Sequence, residues 1–174
     1  MSMMRIIESP IGPVRLVVSQ GTVIQIDFHW ERVLSEELTA TKEPLEDPLE
    51  EFLEDPVLAQ VETALTDYFQ QPQPLQQIPC DPQGTPFQRK VWQALREIPL
   101  GQVMTYGELA EQLGSSPRAV GGACRNNPVP LIIPCHRVIS KNGIGGFSGQ
   151  WGEGEKVNVK QWLLRHEQVL TYVT

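Results

Sequence analysis

Thr105-Tyr106-Gly107-Glu108-Leu109-Ala110-Glu111-Gln112-Leu113-Gly114-Ser115-Ser116-Pro117-Arg118-Ala119-Val120-Gly121-Gly122-Ala123-Cys124-Arg125 decides the fold of the second half of the chain. Thr105 and Glu108 stand at capping-box spacing, Leu109, Ala110 and Leu113 give the helix that follows a packing face, and Gly114 suits the left-handed position past its end. Ser116 caps a second helix that opens on Pro117 and runs to Arg125. Two short helices joined by a three-residue turn have helix-turn-helix geometry, which can read DNA or serve as a plain packing unit. The second helix carries two glycines and two alanines, and each glycine weakens it by roughly 1 kcal/mol relative to alanine. Such small residues permit close backbone approach, either to a neighbouring helix or to a DNA groove. Arg118 and Arg125 on the same helix favour DNA, since packing alone needs neither.

Upstream of this pair, Thr85-Pro86-Phe87-Gln88 repeats the capping-box spacing with proline at the first helical position. Phe87, Val91, Trp92 and Leu95 continue the apolar face until Pro99. The stretch from Gln70 to Gln83 holds Pro72, Pro74, Pro79 and Pro82, so it cannot sustain a helix and reads as an extended interdomain linker. Before it, Asp55 offers an N-cap and Pro56 a first helical position, with Leu58, Val61, Leu65, Tyr68 and Phe69 as an apolar stripe. Residues 31–55 are rich in Glu, Asp and Pro and read as an exposed connection. Val14, Leu16 and Val18, the break at Ser19-Gln20-Gly21-Thr22, and Val23, Ile24, Ile26 and Phe28 read as a hairpin, with a further strand near Arg5–Glu8. The expected fold class is α+β (α/β), with residues 1–80 forming a small sheet, a helix and the linker, and residues 81–174 a mainly helical domain.

The 174 residues carry a net charge of −7, which taken alone argues against a nucleic-acid partner. The distribution reverses that argument. Residues 1–80 hold four Lys/Arg against 14 Asp/Glu, whereas residues 81–174 hold 10 against seven, so only the second half faces phosphate comfortably. The first residues lack the long apolar stretch of a signal peptide, and nothing later approaches the roughly 18 apolar residues of a membrane span, so no membrane partner and a cytoplasmic location are expected. Three cysteines, Cys80, Cys124 and Cys135, are too few and too odd in number for a secreted disulfide framework and read as free thiols.

Cys135 lies between Pro134 and His136 and follows the apolar run Leu131-Ile132-Ile133, a buried segment that delivers a thiol to a constrained position. A free thiol is only a few per cent ionised at neutral pH, and a nearby imidazole or cation raises that fraction. His136 and Arg137 are the immediate candidates. Neighbours in extended backbone point in opposite directions, so His136 acts through a water if at all. A single Cys-His pair is more often structural than catalytic.

The run Pro134-Cys135-His136-Arg137-Val138 resembles the signature of the O6-alkylguanine-DNA alkyltransferases, and the resemblance extends from about Gly84 to Glu167. Asn127-Pro128 precedes it as in that family, and Gly101-Gln102-Val103-Met104-Thr105-Tyr106-Gly107 is similar to the family's entry into its helix-turn-helix. Arg118-Ala119-Val120-Gly121 is similar to its recognition helix, and Val159 to Glu167 to its final helix and glutamate. The resemblance implies that Cys135 accepts the alkyl group, that His136 is a water-mediated base, and that Glu167 orients and polarises the imidazole. It makes Asn127 a hinge and Tyr106 the phenol that assists flipping and donates towards the leaving guanine. Arg118 becomes the finger that holds the gap in the duplex, with Ala119, Tyr106 and Arg125 also on the DNA side, and Pro130, Val138, Phe147 and Ser148 line the pocket. It further implies a ribonuclease-H-like N-terminal domain without a catalytic role, a winged-helix-like C-terminal domain, a monomer, no cofactor, and double-stranded DNA carrying O6-alkylguanine as partner; whether O4-alkylthymine is a further substrate the sequence leaves open. Some relatives bind zinc in the N-terminal domain, but with no cysteine before Cys80 and only His29 there, no metal is expected.

Three departures stand out. The turn before Arg118 is about two residues shorter than in many relatives, the segment after Phe147 is a few residues longer, and Cys124 has no family role, a small packing residue being its commoner use. Two other functions compete with alkyl transfer. A non-enzymatic damage binder of the same fold flips the base but lacks the acceptor cysteine, and a regulator that uses only the helix-turn-helix leaves the histidine and glutamate unexplained.

Overall fold

A computed structural model describes residues 2–28, 55–143 and 155–169, with the side chains of 155–158 excepted. Strands β1 (Ser2–Ile7), β2 (Val14–Ser19) and β3 (Thr22–Phe28) form an antiparallel sheet in the order β1-β2-β3, joined by the expected hairpin. Val14, Leu16 and Val18 alternate inward with no exposed surface, the period of a strand buried on one face. Helix α1 (Pro56–Gln70) starts where Asp55 accepts from the Val57 amide and buries Leu58, Val61, Leu65, Tyr68 and Phe69, the stripe read from the sequence. The expected connection at 31–54 lies outside the described residues, apart from Asp55, which caps α1.

The proline-rich stretch after α1 is extended, but it is more than a spacer. Val23 donates to the Pro79 carbonyl and Asp81 donates to Val23, so residues 79–81 pair along β3. Arg96 donates to the Gln76 and Ile78 carbonyls at 2.6 and 2.9 Å, and Leu75 and Ile78 are buried. Prolines exclude a helix there, yet they leave carbonyls and alternate amides free to pair, which the reading as a linker did not anticipate.

Helix α2 (Pro86–Arg96) begins with the reciprocal Thr85–Gln88 capping box and buries Val91, Trp92, Ala94 and Leu95. Strand β4 (Met104–Thr105) leads directly into α3 (Tyr106–Leu113), whose Thr105–Glu108 box is also complete. Gly114 takes φ +63°, a left-handed conformation that closes α3 and is strained for any residue with a Cβ. Three residues on, α4 (Pro117–Arg125) starts with Ser116 accepting from the Ala119 amide. The Trp92 indole donates to the Ala123 carbonyl at 2.9 Å and anchors α4 against α2. After a buried irregular segment come one 3₁₀ turn (Cys135–Arg137), β5 (Val138–Ile139), and finally α5 (Glu155–His166). One apolar cluster runs from Ile7 and Leu16 in the sheet to Trp92, Ile133 and Leu163. The Ile26 amide donates to the Pro128 carbonyl at 2.9 Å, tying the sheet to the segment that carries the thiol.

Candidate active site

The turn that holds Cys135 is built by its flanks. Asn127 accepts from the Val129 amide at 3.0 Å and donates to the Ile133 carbonyl at 2.8 Å, closing the 127–133 segment into a loop. Parallel pairing of β4 with β5 then sets Met104 opposite Val138 and Thr105 opposite Ile139, so the start of α3, with Tyr106, lies beside the thiol-bearing turn. Cys135 is 3% exposed and His136 is fully buried. The extended backbone expected here is instead a 3₁₀ turn, in which Cys135, His136 and Arg137 fan out at about 120° instead of alternating.

That fan settles where each side chain goes. Arg137, expected as a neighbour that ionises the thiol, turns to Glu167, with Nε to Oε2 at 2.9 Å and a terminal nitrogen to Oε1 at 3.0 Å, while its other nitrogen donates to the Ile98 carbonyl at 2.8 Å. His136 Nε2 lies 2.8 Å from Glu167 Oε1. Tyr68, 99 residues away in sequence from Glu167, donates its hydroxyl to the same Oε1 at 2.7 Å. All four side chains are essentially excluded from solvent.

Burial alone would raise the Glu167 carboxyl, but the charge and hydrogen bond of His136, with those of Arg137, outweigh it and hold the group well below the usual carboxylate range. An ionised carboxylate only accepts, so Nε2 of His136 carries the proton in this contact. In the neutral imidazole Nδ1 is then the acceptor nitrogen; it is buried and has no hydrogen-bond partner among the described residues.

Burial pushes the Cys135 thiol up, against the pull of the Asn127 side chain and the Lys160 charge. Lys160 is fully buried, donates to the Val138 carbonyl at 2.6 Å and stands 5.7 Å from the centre of the Tyr106 ring. Desolvation lowers it to about 8, with the two thiols Cys135 and Cys124 working in the opposite direction. Burial also raises the Tyr106 phenol and the Cys124 thiol.

On the outer side, Arg118 and Arg125 are exposed on α4 and Ala119 is half-buried. With Tyr106, Pro117, Gly121 and Gly122, the two arginines line a concavity of about 460 Å³. Among the described residues a Cβ added at Gly121 or Gly122 would meet nothing within 4 Å, and both glycines line the concavity. Pro130 and Val138 are buried near the thiol turn, whereas Phe147 and Ser148, with the longer segment after them, lie outside the described residues.

Tyr68 and Lys160 were not singled out from the sequence. Lys160 had a signal, since it stands at helical spacing with Leu163, Leu164 and Glu167, all buried. Tyr68 had none, because within the α1 stripe a tyrosine reads as core.

A buried thiol, an imidazole fixed by a carboxylate, and a capped helix pair with exposed arginines define a helix-turn-helix protein built around a buried free cysteine. The 6-O-methylguanine DNA methyltransferase DNA-binding domain matches residues 86–169. A methylated-DNA–protein-cysteine methyltransferase of Haemophilus influenzae is 34% identical over 165 residues, which cover 92% of this chain and 83% of that protein. The chain belongs to the methylated-DNA–protein-cysteine methyltransferase family. Its match to the Shigella flexneri enzyme of that name is 53% identical over 96 residues, so there the chain spans about half the relative's length (53%). The crystal structure of Mycobacterium tuberculosis O6-methylguanine methyltransferase superposes with a TM-score of 0.74 at 31% identity, covering 97% of this chain and 93% of the other. The Mycobacterium tuberculosis OGT in complex with DNA superposes at 0.69 and 32%, covering 95% and 92%.

Proposed function

We propose that the protein repairs alkylated DNA by moving an alkyl group from O6 of guanine to Cys135 Sγ. The observation that carries this reading is the thiol turn, in which Cys135 adjoins a histidine whose Nε2 is fixed by Glu167 and whose Nδ1 is left as a buried base. The thiol proton passes through a water to His136 Nδ1 as sulfur attacks the alkyl carbon. The S–C bond forms, the C–O6 bond breaks with its electron pair remaining on guanine, and the ring takes up one proton from the Tyr106 phenol, which is later reprotonated at the expense of His136. Proton loss and proton gain balance, and no cofactor is required. Asn127 holds the turn, and Lys160 supplies positive charge on the side of the developing thiolate.

O6 is engaged within the duplex, so the nucleotide must leave the stack, at a cost of roughly a few kcal/mol that is smaller for a mispaired lesion. Arg118 fills the gap from the minor groove, with Ala119 and the glycines beside it allowing close approach and Arg125 facing phosphate. The base enters past Tyr106 towards a pocket walled by Pro130, Val138, Phe147 and Ser148. O4-alkylthymine offers the same type of electrophilic carbon and is a second substrate. We further read β1–β3 with α1 as a ribonuclease-H-like unit and α3–α4 as the centre of a winged-helix-like unit beginning near residue 81, acting as a monomer.

The test is intact mass after incubation with a duplex carrying one O6-methylguanine. One added methyl per protein, absent in Cys135→Ala although that variant still binds the duplex, is the expected result. Binding of the duplex by the wild-type chain with no mass gained would instead select a damage binder or a regulator.

A further inference from the structure

We propose that Tyr68 is a positioning residue for the His136–Glu167 pair, its phenol holding Glu167 Oε1 against the imidazole from the opposite half of the chain. The inference deepens the alkyl-transfer reading and rests on it for the rate measurements alone. Oε1 accepts from Tyr68 at 2.7 Å, from His136 at 2.8 Å and from Arg137 at 3.0 Å, and Oε2 accepts from Arg137 at 2.9 Å. The arginine grips the carboxylate through both oxygens and fixes its plane. Besides that arginine, Tyr68 and His136 are the described donors to Oε1, so the phenol competes with the imidazole for the charge on that oxygen.

The approach of Tyr68 is fixed by several contacts and is not an incidental meeting of two buried polar atoms. His166, the residue before Glu167, donates from Nε2 to the Tyr68 backbone carbonyl at 2.5 Å, and its ring meets the Tyr68 ring edge-on at 5.2 Å. Trp162 stacks on His166 at 4.6 Å and packs against Phe69 at 6.0 Å. Both main chain and side chain of Tyr68 are thus clamped to the end of α5 that carries the carboxylate. The titratable and charged groups around the imidazole's partner are then Tyr68 from α1, Arg137 and Cys135 from the 3₁₀ turn, and His166 and Glu167 from the end of α5, with Lys160 on the Val138 side. Burial and the neighbouring carboxylate keep the Tyr68 phenol protonated, hence a donor throughout the working pH range.

Removing the hydroxyl leaves more of the Oε1 charge for the imidazole and loosens the orientation of the pair. For Tyr68→Phe the His136 titration midpoint, followed by NMR of the ring, is expected to move up by some tenths of a pH unit. The acid limb of the single-turnover rate with free O6-benzylguanine should move the same way. The rate on the high-pH plateau should fall about tenfold, a part of the roughly 100- to 10,000-fold that a general base contributes. Incorporation of 3-fluorotyrosine at position 68 keeps the ring and strengthens the donor, so the midpoint should move down with the plateau kept; this variant serves if Tyr68→Phe does not fold. A folded variant with the His136 midpoint unmoved overturns the proposal, including the case in which rate and melting temperature drop together at every pH, which marks a purely structural tyrosine. If the wild-type protein gains no methyl group from a duplex carrying O6-methylguanine, the alkyl-transfer reading fails, and the NMR titration still decides the role of Tyr68.

Discussion

Glu167 gathers three side chains onto one buried carboxylate, and its ionisation ties the site to the stability of the fold. Its folded pKa is depressed, so its contribution is fully present above the unfolded value of about 4.3 and is lost as pH falls through the lower folded value. Glu167→Gln leaves Arg137 buried without a counter-charge, and breaking such a pair costs about 3–5 kcal/mol. Denaturant unfolding near pH 7 is expected to show that loss, and the gap between wild type and variant should narrow below about pH 4, where Glu167 of the unfolded chain takes up a proton that the folded carboxylate does not. A gap that stays constant from pH 7 to pH 3 would contradict the ionised hub. At this scale the sequence was partly legible. Cys135, His136 and Glu167 followed from a resemblance, but which way Arg137 points could not be read, because adjacent residues diverge differently in a 3₁₀ turn and in a strand. Tyr68 was hidden for a different reason, since its partner lies 99 residues on and an apolar stripe does not reveal a hydroxyl's target.

Among the elements, α4 shows what local rules do and do not convey. Its cap at Ser116, its start at Pro117 and the left-handed Gly114 before it were all legible, because capping chemistry is written in adjacent residues. The purpose of Gly121 and Gly122 was not legible, since it depends on what faces them, and none of the described residues does. Alanine at Gly122 meets no atom of the described residues and has the higher helix propensity, so Gly122→Ala should stabilise the protein by up to about 1 kcal/mol. If the open concavity receives DNA, the same substitution weakens repair of a duplex while leaving reaction with free O6-benzylguanine unchanged. Arg118→Ala should show the same selectivity more strongly if the exposed Arg118 is the proposed finger, which would act on extrusion of the base and not on sulfur chemistry. Single-turnover rates on the two substrates check both variants, and equal losses on duplex and free base would remove α4 from the DNA-facing role.

At the scale of the whole molecule, the halves that composition separates by charge share one apolar cluster, and the stretch read as a linker pairs with β3. Proline content reports what a segment cannot form, whereas long-range pairing is set by partners elsewhere in the chain, which is why this joint was not legible. The continuity has a consequence for the reacted protein. Cys135 belongs to that cluster at 3% exposure, the Ile26 amide of the sheet bonds to Pro128 just ahead of it, and Tyr68 bonds to Glu167 behind it. A thioether at Cys135 has no leaving group that water displaces under mild conditions, so each molecule should react once. The added methyl stays in a packed interior, and overpacking of this kind costs about 1–3 kcal/mol. For a domain of this size that lowers the melting temperature by roughly 2–4 °C per kcal/mol. Titrating alkylated duplex against a fixed amount of protein and then melting the product measures both effects. Product beyond one equivalent per active protein would refute single use, and an unchanged or raised melting temperature would show that the pocket around Cys135 already holds room for the alkyl group.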